Sequence, residues 1–499
     1  MPDVRSALAL LALLGGPALA GLPPVPVPAE NPITEPKRVL GKILFWDEQL
    51  SSDNSVACGT CHRPAAGGAD PRAGVHPGTD PGTIDDVRGS PGIVRLGADG
   101  RPAAHPVFGE RPQVTRRASS PVFGALWAAE LFWDGRASGV FRDPLTGDVA
   151  IAQGGALESQ ALASLADEVE MAKTGRSWHE LTAKLARVRP LALATRLPRD
   201  AAAALARHGD YPSLFAAAFG DAGITPVRIA FAIASYERTL VADATPWDAY
   251  VAGDGSALTG AQAYGWQAMQ DFQCVKCHVP PLFTNDDFAN IGLRRAELDR
   301  GREAVTGDPE DAGEVRVPSL RNVGLRPRFM HTGELPSLGA AVAFYRTGPA
   351  LPDRDDIPGA GIYAFNMGSV AEADIHAFLS TALTDPRVRD ERYPFDRPTL
   401  RTERHSADTT APSTPAALDA RRGAQKIELR WNASADDTGV VDYIVQRDGR
   451  VIALVTATEY ADVEDIGAAV PITYAVFARD AARNQSTPAE IELGLADFR

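Results

Sequence analysis

The pentapeptide Cys-x-x-Cys-His occurs twice, as Cys58-Gly-Thr-Cys61-His62 and as Cys274-Val-Lys-Cys277-His278, and the two copies use all four cysteines of the chain. Two thiols three residues apart on one helical turn can each add to a vinyl group of a haem, and the adjacent histidine then faces the iron as its proximal ligand. Half of a zinc site would also supply two cysteines and a histidine. Two copies with no cysteine left over point instead to two covalently bound c-type haems, held by Cys58, Cys61, Cys274 and Cys277, with His62 and His278 on the irons. No thiol then remains for a disulfide.

Each attachment segment needs an element that delivers it. Thr34 and Pro36 are helix start signals, and Val39, Leu40, Ile43 and Leu44 recur on one helical face ahead of Cys58. A second amphipathic stretch, about 260–272, leads into Cys274 in the same way, so the two haem segments read as an internal duplication with different loops. Residues 63–113 are rich in Gly, Pro and Asp and carry little periodicity, which predicts a long functional loop over the first haem. Helical patterns also run from Glu158 to Met171, from Thr225-Pro226 with Ile229, Ile233, Tyr236 and Leu240 on one side, from near Ser337, and from Val370 to Leu383. Beyond residue 411 the period changes to two, as in Lys426–Trp431, Tyr443–Arg447 and Thr473–Ala478, with turn signals such as Asp448-Gly449 between. Short strands at this spacing predict an antiparallel sandwich that resembles a fibronectin type III module, with Trp431 and Tyr474 as core aromatics.

The fold class is therefore mainly α, with two c-type cytochrome-like haem domains followed by an all-β fibronectin type III-like sandwich. The expected boundaries are a signal peptide at 1–20, a Pro-rich arm at 21–36, haem domains at 37–224 and 225–385, a linker at 386–410 and the sandwich at 411–499. Arg5, the apolar run Ala7–Leu14 and Pro-Ala-Leu-Ala ending at Ala20 form the signal-peptide pattern, which predicts cleavage near Ala20 and a periplasmic protein. No later apolar run is long enough to span a bilayer. A formal charge of −14 without a long basic run argues against nucleic acid as a partner.

From about residue 37 to 385 the chain resembles the bacterial dihaem cytochrome c peroxidase and MauG family. The resemblance is carried by Leu40-Gly-Lys-Ile-Leu-Phe45 with Leu50-Ser51, Phe132-Trp-Asp-Gly-Arg136, Pro318-Ser-Leu-Arg-Asn322 and Met330-His-Thr-Gly333. It implies one haem where H2O2 reacts and a second, six-coordinate haem that passes or stores electrons. Family members carry a Gln ten residues before a Glu-Met pair, and Gln160 and Glu170-Met171 keep that spacing. The resemblance thus makes Glu170 the acid/base over the first haem, since peroxide must lose a proton to bind iron and its outer oxygen must gain one to leave as water. Residues are inserted between Arg136 and Gln160, and Ser164 stands where the family has Pro. Trp133 carries over as the indole between the haems, an oxidisable ring that splits one long electron step into two short ones.

The second axial ligand of the His278 haem lies fourteen residues after the histidine of the Met-His segment. In the peroxidases it is Met; in MauG-like enzymes it is Tyr, and here the count reaches Tyr345, with Met330 and Met367 as alternative sulfur ligands. A thioether favours reduced iron, whereas a phenolate favours higher oxidation states. His76 and His105, in the long loop, are candidate sixth ligands of the His62 haem in a resting form. The family also holds a calcium ion between its haems through an Asn side chain and backbone carbonyls. Here Ala118 or Ser119 stands at the Asn position and Arg326-Pro-Arg328 replaces Thr-x-Pro, so Ca2+ would rest on carbonyls and water. The implied partners are H2O2 and either a protein electron donor or a protein substrate, with no nucleic acid and no membrane; monomer and homodimer are both compatible. Two enzymatic readings stand, a MauG-like oxidation of a protein partner and a peroxidase fed by a small cytochrome c or cupredoxin. A non-catalytic electron carrier would leave Glu170 and Gln160 without a purpose.

Overall fold

The computed structural model describes residues 21–79, 81–83, 85–347, 367–404, 410–422, 426–437, 439–455, 457–463, 471–480 and 484–494. The expected signal peptide, 1–20, lies outside them. The first helix, Glu35–Phe45, has proline in its first turn and buries Leu40, Ile43 and Leu44 completely. It crosses the helix Pro226–Glu237 at Gly41, where any side chain would overlap the Ala232 carbonyl. The second half repeats the device. Its helix Gly260–Asp271, opened by a Thr259–Gln262 capping box, crosses Ser369–Ala377 at Gly265, against the Asp374 carbonyl.

In each half, therefore, the helix ahead of the cysteine pair packs on a closing helix from the end of the same half. This moves one expected boundary. The helix opened by Thr225 closes the first half instead of opening the second, because Ile229, Ile233, Tyr236 and Leu240 are buried with Leu40, Ile43 and Phe45 in one core. A separate core holds Trp247, Met269, Phe283, Phe329, Val342 and Phe378.

The long loop contains two small antiparallel ribbons, Gly74–His76 with Val87–Gly89 and Pro91–Val94 with Pro112–Val114. Strands of three or four residues are too short to print a period on the sequence. The helix expected to reach Met171 spans Ala156–Ala166, and Asp167 then turns the chain. The pattern from Val370 to Leu383 is a helix, Ser369–Ala377, followed by a wider π turn, Phe378–Ala382.

The stretch expected as a linker is, up to residue 404, a strap on the first half. Val388, Phe395 and Leu400 are fully buried in the first core. The backbone N–H groups of Arg401 and Thr402 and the Thr402 hydroxyl donate to the buried Glu48 carboxylate. Beyond it lie two antiparallel sheets. One orders Glu459–Asp462, Ile427–Asn432 and Ala416–Arg422; the other orders Arg450–Val455, Val440–Arg447, Ile472–Asp480 and Ala489–Leu493. Leu429 and Trp431 from the first sheet and Val445, Tyr474 and Val476 from the second share one apolar core.

Candidate functional site

The Cys58–Cys61 turn is helical, and His62 leaves it with its backbone N–H on the Cys58 carbonyl at 3.1 Å. The His62 Nδ1–H donates to the Gly68 carbonyl at 3.2 Å. The second segment repeats this arrangement: the His278 N–H meets the Cys274 carbonyl at 2.9 Å, and Nδ1 donates to the Phe283 carbonyl at 3.1 Å. A carbonyl on Nδ1 fixes the tautomer that leaves Nε2 as the metal-binding atom. Burial lowers both imidazole pKa values, that of His278 to about 4, so both rings are neutral and ready to ligate. All four cysteine thiols are unpaired.

Beside His278 lies a cavity of about 470 Å³, within the range of cofactor sites. Its wall includes Cys274, Cys277 and His278, and it is also lined by Tyr345, Met330 and Met367, so the structure brings all three candidate sixth ligands to one space. Burial pushes the Tyr345 phenol well above its ordinary range, with the Cys274 and Cys277 thiols close enough to add to the effect. Three guanidinium groups, Arg316, Arg326 and Arg328, line the same cavity. The Nε atoms of Arg316 and Arg326 and the Nδ1 of His331 are buried there without a partner. Orphaned buried N–H donors such as the two arginine Nε groups cost about 1–3 kcal/mol each, and a haem carboxylate would satisfy them. The residues present therefore fit a covalently held haem.

Trp133 and His331 face each other across the junction of the halves, with ring centroids 6.1 Å apart at 59°. They occupy equivalent places in two similar reversals: Leu131 pairs with Ala137 around one, Phe329 with Leu335 around the other, and the preceding Phe132 and Met330 both have φ near +65° (64° and 68°). The backbones are cross-linked, since the Arg316 N–H donates to the Trp133 carbonyl at 2.8 Å and the Ala118 N–H to the His331 carbonyl at 2.7 Å. The Trp133 indole N–H donates to the Ala118 carbonyl at 2.8 Å. Arg117 closes the junction between Asp134, at 2.6 Å, and Asp299, at 2.5 Å. Trp133 also lines the His278 cavity.

Glu170 sits on a turn, not on a helix. Asp167 Oδ1 accepts from the Val169 and Glu170 N–H groups at 2.8 and 2.9 Å. The turn is pinned by the Ile93 N–H on the Val169 carbonyl and by the Ser52 N–H on the Met171 carbonyl. Gly92 is required there, because a Cβ would overlap the Val169 carbonyl. Glu170 lies within electrostatic reach of both Cys58 and Cys61. Burial raises its pKa, and Asp167 adds to the rise, while the nearby Ser164 hydroxyl and the charge of Arg136 oppose it. Gln160 Nε2 donates to Ser164 Oγ at 3.0 Å. His76 and His105 are packed on Phe108, with the His105 Nδ1 occupied by the Val107 and Phe108 N–H groups, and neither is among the groups that act on His62.

A family model described as di-haem cytochrome c peroxidase matches residues 35–256. The cytochrome c551 peroxidase of Pseudomonas aeruginosa is 30% identical over 323 residues, which span 63% of this chain and 72% of that protein. The chain belongs to the di-haem cytochrome c peroxidase family. The methylamine utilization protein MauG of Methylophilus methylotrophus is 29% identical, over 72% of this chain and 85% of that protein. A solved MauG-like protein associated with microbial copper homeostasis has the same fold over 75% of this chain, with a TM-score of 0.51 and 23% identity.

As a member of this family the chain is a haem peroxidase-type oxidoreductase, and membership implies two c-type haems. The side chains at the family's calcium position do not supply a ligand set. Ala118 has no donor atom, and the Ser119 hydroxyl already accepts from the Asp70 N–H at 2.8 Å. Among the described residues no group of three or more His, Cys, Asp or Glu could hold a metal ion, and no helix is long and apolar enough to cross a membrane. The residues that sequence reasoning missed are Arg117, Asp299 and Arg316. Arg117 and Asp299 meet across 182 positions of sequence, a separation at which no local pattern operates.

Proposed function

We propose that the chain reduces H2O2 beside His62 and passes the oxidising equivalents through Trp133 to the His278 haem and on to a protein partner, in the manner of MauG. The haems, when bound, supply the iron that accepts peroxide oxygen and exchanges electrons. Glu170 takes the proton that peroxide sheds and returns it to the outer oxygen, which leaves as water. Its raised pKa suits that task, because a carboxyl poised nearer to working pH both accepts and releases a proton readily. Trp133, held at its indole N–H and its carbonyl, keeps a fixed place beside the His278 cavity, which limits the reorganisation an electron transfer would need.

The observation that carries the MauG-like reading is the phenol of Tyr345 on the wall of the His278 cavity. An oxygen ligand there would make the second haem a store of oxidising power and a poor entry port for electrons. The alternative, a peroxidase drawing electrons from a small cytochrome c or cupredoxin, is favoured by Met330 and Met367 on the same wall. In either reading we take the halves as two cytochrome-like haem domains, the sandwich as a fibronectin type III-like docking module, and the mature protein as periplasmic. The test is the absorption and EPR spectrum of the diferric protein beside Tyr345→Phe. A low-spin signal altered by the substitution, without a sulfur-to-iron charge-transfer band, supports the protein-oxidising reading. A sulfur-to-iron band that survives it transfers the assignment to the cytochrome-fed peroxidase.

A further inference from the structure

The Asp134 carboxyl belongs to the first half and the Asp299 carboxyl to the second, and Arg117 lies between them. Its Nη1 donates to Asp134 Oδ2 at 2.6 Å, while Nε and Nη2 form a fork on the two Asp299 oxygens at 2.9 and 2.5 Å. Arg136 Nη1 reaches both Asp134 oxygens at 3.0 Å. His331, 3.7 Å from Asp299, adds no charge at neutral pH, because burial lowers its imidazole to about 4. Two carboxylates thus face two guanidinium groups, and the charge of the junction closes within the chain. We propose that Arg117 takes the place of the family's calcium ion: its guanidinium is the cation that ties the two halves together, and the dihaem enzyme holds its junction without calcium. The inference goes beyond the fate of the oxidising equivalents and holds for either reading of it.

Calcium takes about six to eight oxygen ligands, from carboxylates, carbonyls and water. The oxygens at this junction are spent on N–H donors of the chain. The Ala118 carbonyl accepts from the Trp133 indole, the Ser119 hydroxyl from the Asp70 N–H, and both carboxylates from arginine. The surroundings also carry the wrong sign. Arg326 and Arg328, in the segment that replaces Thr-x-Pro, donate among the described residues only to carbonyls, those of Ser319 and Arg321 and that of Gly333. Repulsion from these guanidinium groups opposes a dication held by the carbonyls that remain. A guanidinium supplies the bridging charge from within the chain, and its planar fork matches a carboxylate as an ammonium does not. Arg117 does so one peptide bond from Ala118, whose N–H and carbonyl hold His331 and Trp133. Its grip on the two carboxylates therefore steadies the ring pair as well as the halves.

The experiment uses the dihaem holoenzyme, with calcium measured by plasma mass spectrometry and the haems followed by EPR and by stopped-flow absorption with H2O2. The wild type is expected to hold substoichiometric calcium, and EGTA followed by added calcium should leave both haem signals and the peroxide rate unchanged. Stoichiometric calcium whose removal alters a haem signal or the rate overturns the proposal, and this arm needs no variant to fold. Arg117→Ala frees both carboxylates and should change the haem EPR signals and slow the peroxide reaction about tenfold, because small displacements of positioned groups are felt in rate. Added calcium should then move the signals and the rate of Arg117→Ala back toward the wild type. Arg117→Lys should recover only part of the loss, since one ammonium cannot both fork on Asp299 and reach Asp134. An Arg117→Ala enzyme with wild-type signals and rate, or one altered but left unmoved by calcium, rejects the exchange of one cation for the other.

Discussion

Replacing Arg321 by methionine should cost the second haem half about 3–5 kcal/mol, the toll of removing one partner from a buried ion pair. Arg321 comes from the Pro-Ser-Leu-Arg-Asn segment and is 1% exposed. Its guanidinium donates to both Asp248 oxygens at 2.7 and 3.0 Å, to the Ala242 carbonyl at 2.9 Å and to the Pro281 carbonyl at 2.9 Å. Methionine fills much of the volume but leaves a partly buried carboxylate without its countercharge and two carbonyls without this donor. Asp248 also accepts from the Thr245 N–H and hydroxyl at the start of the helix Pro246–Val251, so the loss reaches that cap.

Burial alone would raise the Asp248 pKa, but Arg321 outweighs it and holds the carboxyl below its ordinary value. A folded pKa below the unfolded one gives stability that is present above the unfolded value and is lost as pH falls through the folded value. The wild type should therefore shed this contribution on acidification, and Arg321→Met should have little of it left to shed. The two halves and the sandwich need not unfold together, so the assay is calorimetry with the transition of the second half followed through its haem absorption. Asp248→Asn in the Arg321→Met background should recover a large part of the loss. A loss below about 1 kcal/mol, the value of an exposed pair, or single effects that simply add, would refute the argument.

Two further outcomes are expected. Gly92→Ala forces a methyl group onto the Val169 carbonyl and should cost about 1–3 kcal/mol while slowing the peroxide reaction, with the spectrum of the His278 haem unchanged; wild-type kinetics and melting would mean that the Glu170 turn is not pinned there. Burial, with Glu158 opposing ionisation further, pushes Glu237 up to about 8 from 4.5 despite Arg238. A raised carboxyl pKa gives stability that is complete below the unfolded value and is lost as pH rises through the folded one. Relative to Glu237→Gln the wild type should thus lose up to about 4–5 kcal/mol between pH 4.5 and pH 9. Parallel stability curves would contradict this.

Much of the fold was legible in the sequence because its signals are local. The attachment segments are contiguous pentapeptides, and the helices Glu35–Phe45 and Gly260–Asp271 carry start signals within one turn of their ends. The helix Pro226–Glu237 was equally legible as a helix, but not its allegiance, because which core it joins depends on Gly41 meeting Ala232 almost two hundred positions away. The stretch 386–404 reads as a linker by its charges and prolines, while the contacts that make it a strap, such as the Thr402 hydroxyl on Glu48, span 354 positions. At the candidate site, the spacing of Gln160 and Glu170 was visible, but the Asp167 turn that takes Glu170 off the helix was not.

The crossed backbone bonds at the junction constrain how this molecule can be regulated. The Arg316 and Ala118 N–H groups weld each half to the very residue, Trp133 or His331, whose ring faces the other. With Trp133 as the proposed electron path, the wire and the weld are the same peptide segments. A partner that pried the halves apart, or slid one past the other, would have to break both bonds before the ring contact could change. Relative movement of the halves is thus resisted at the very residues the proposed electron path uses, and on that proposal control falls more readily at its ends, the carboxyl beside the first attachment segment and the sixth position of the second.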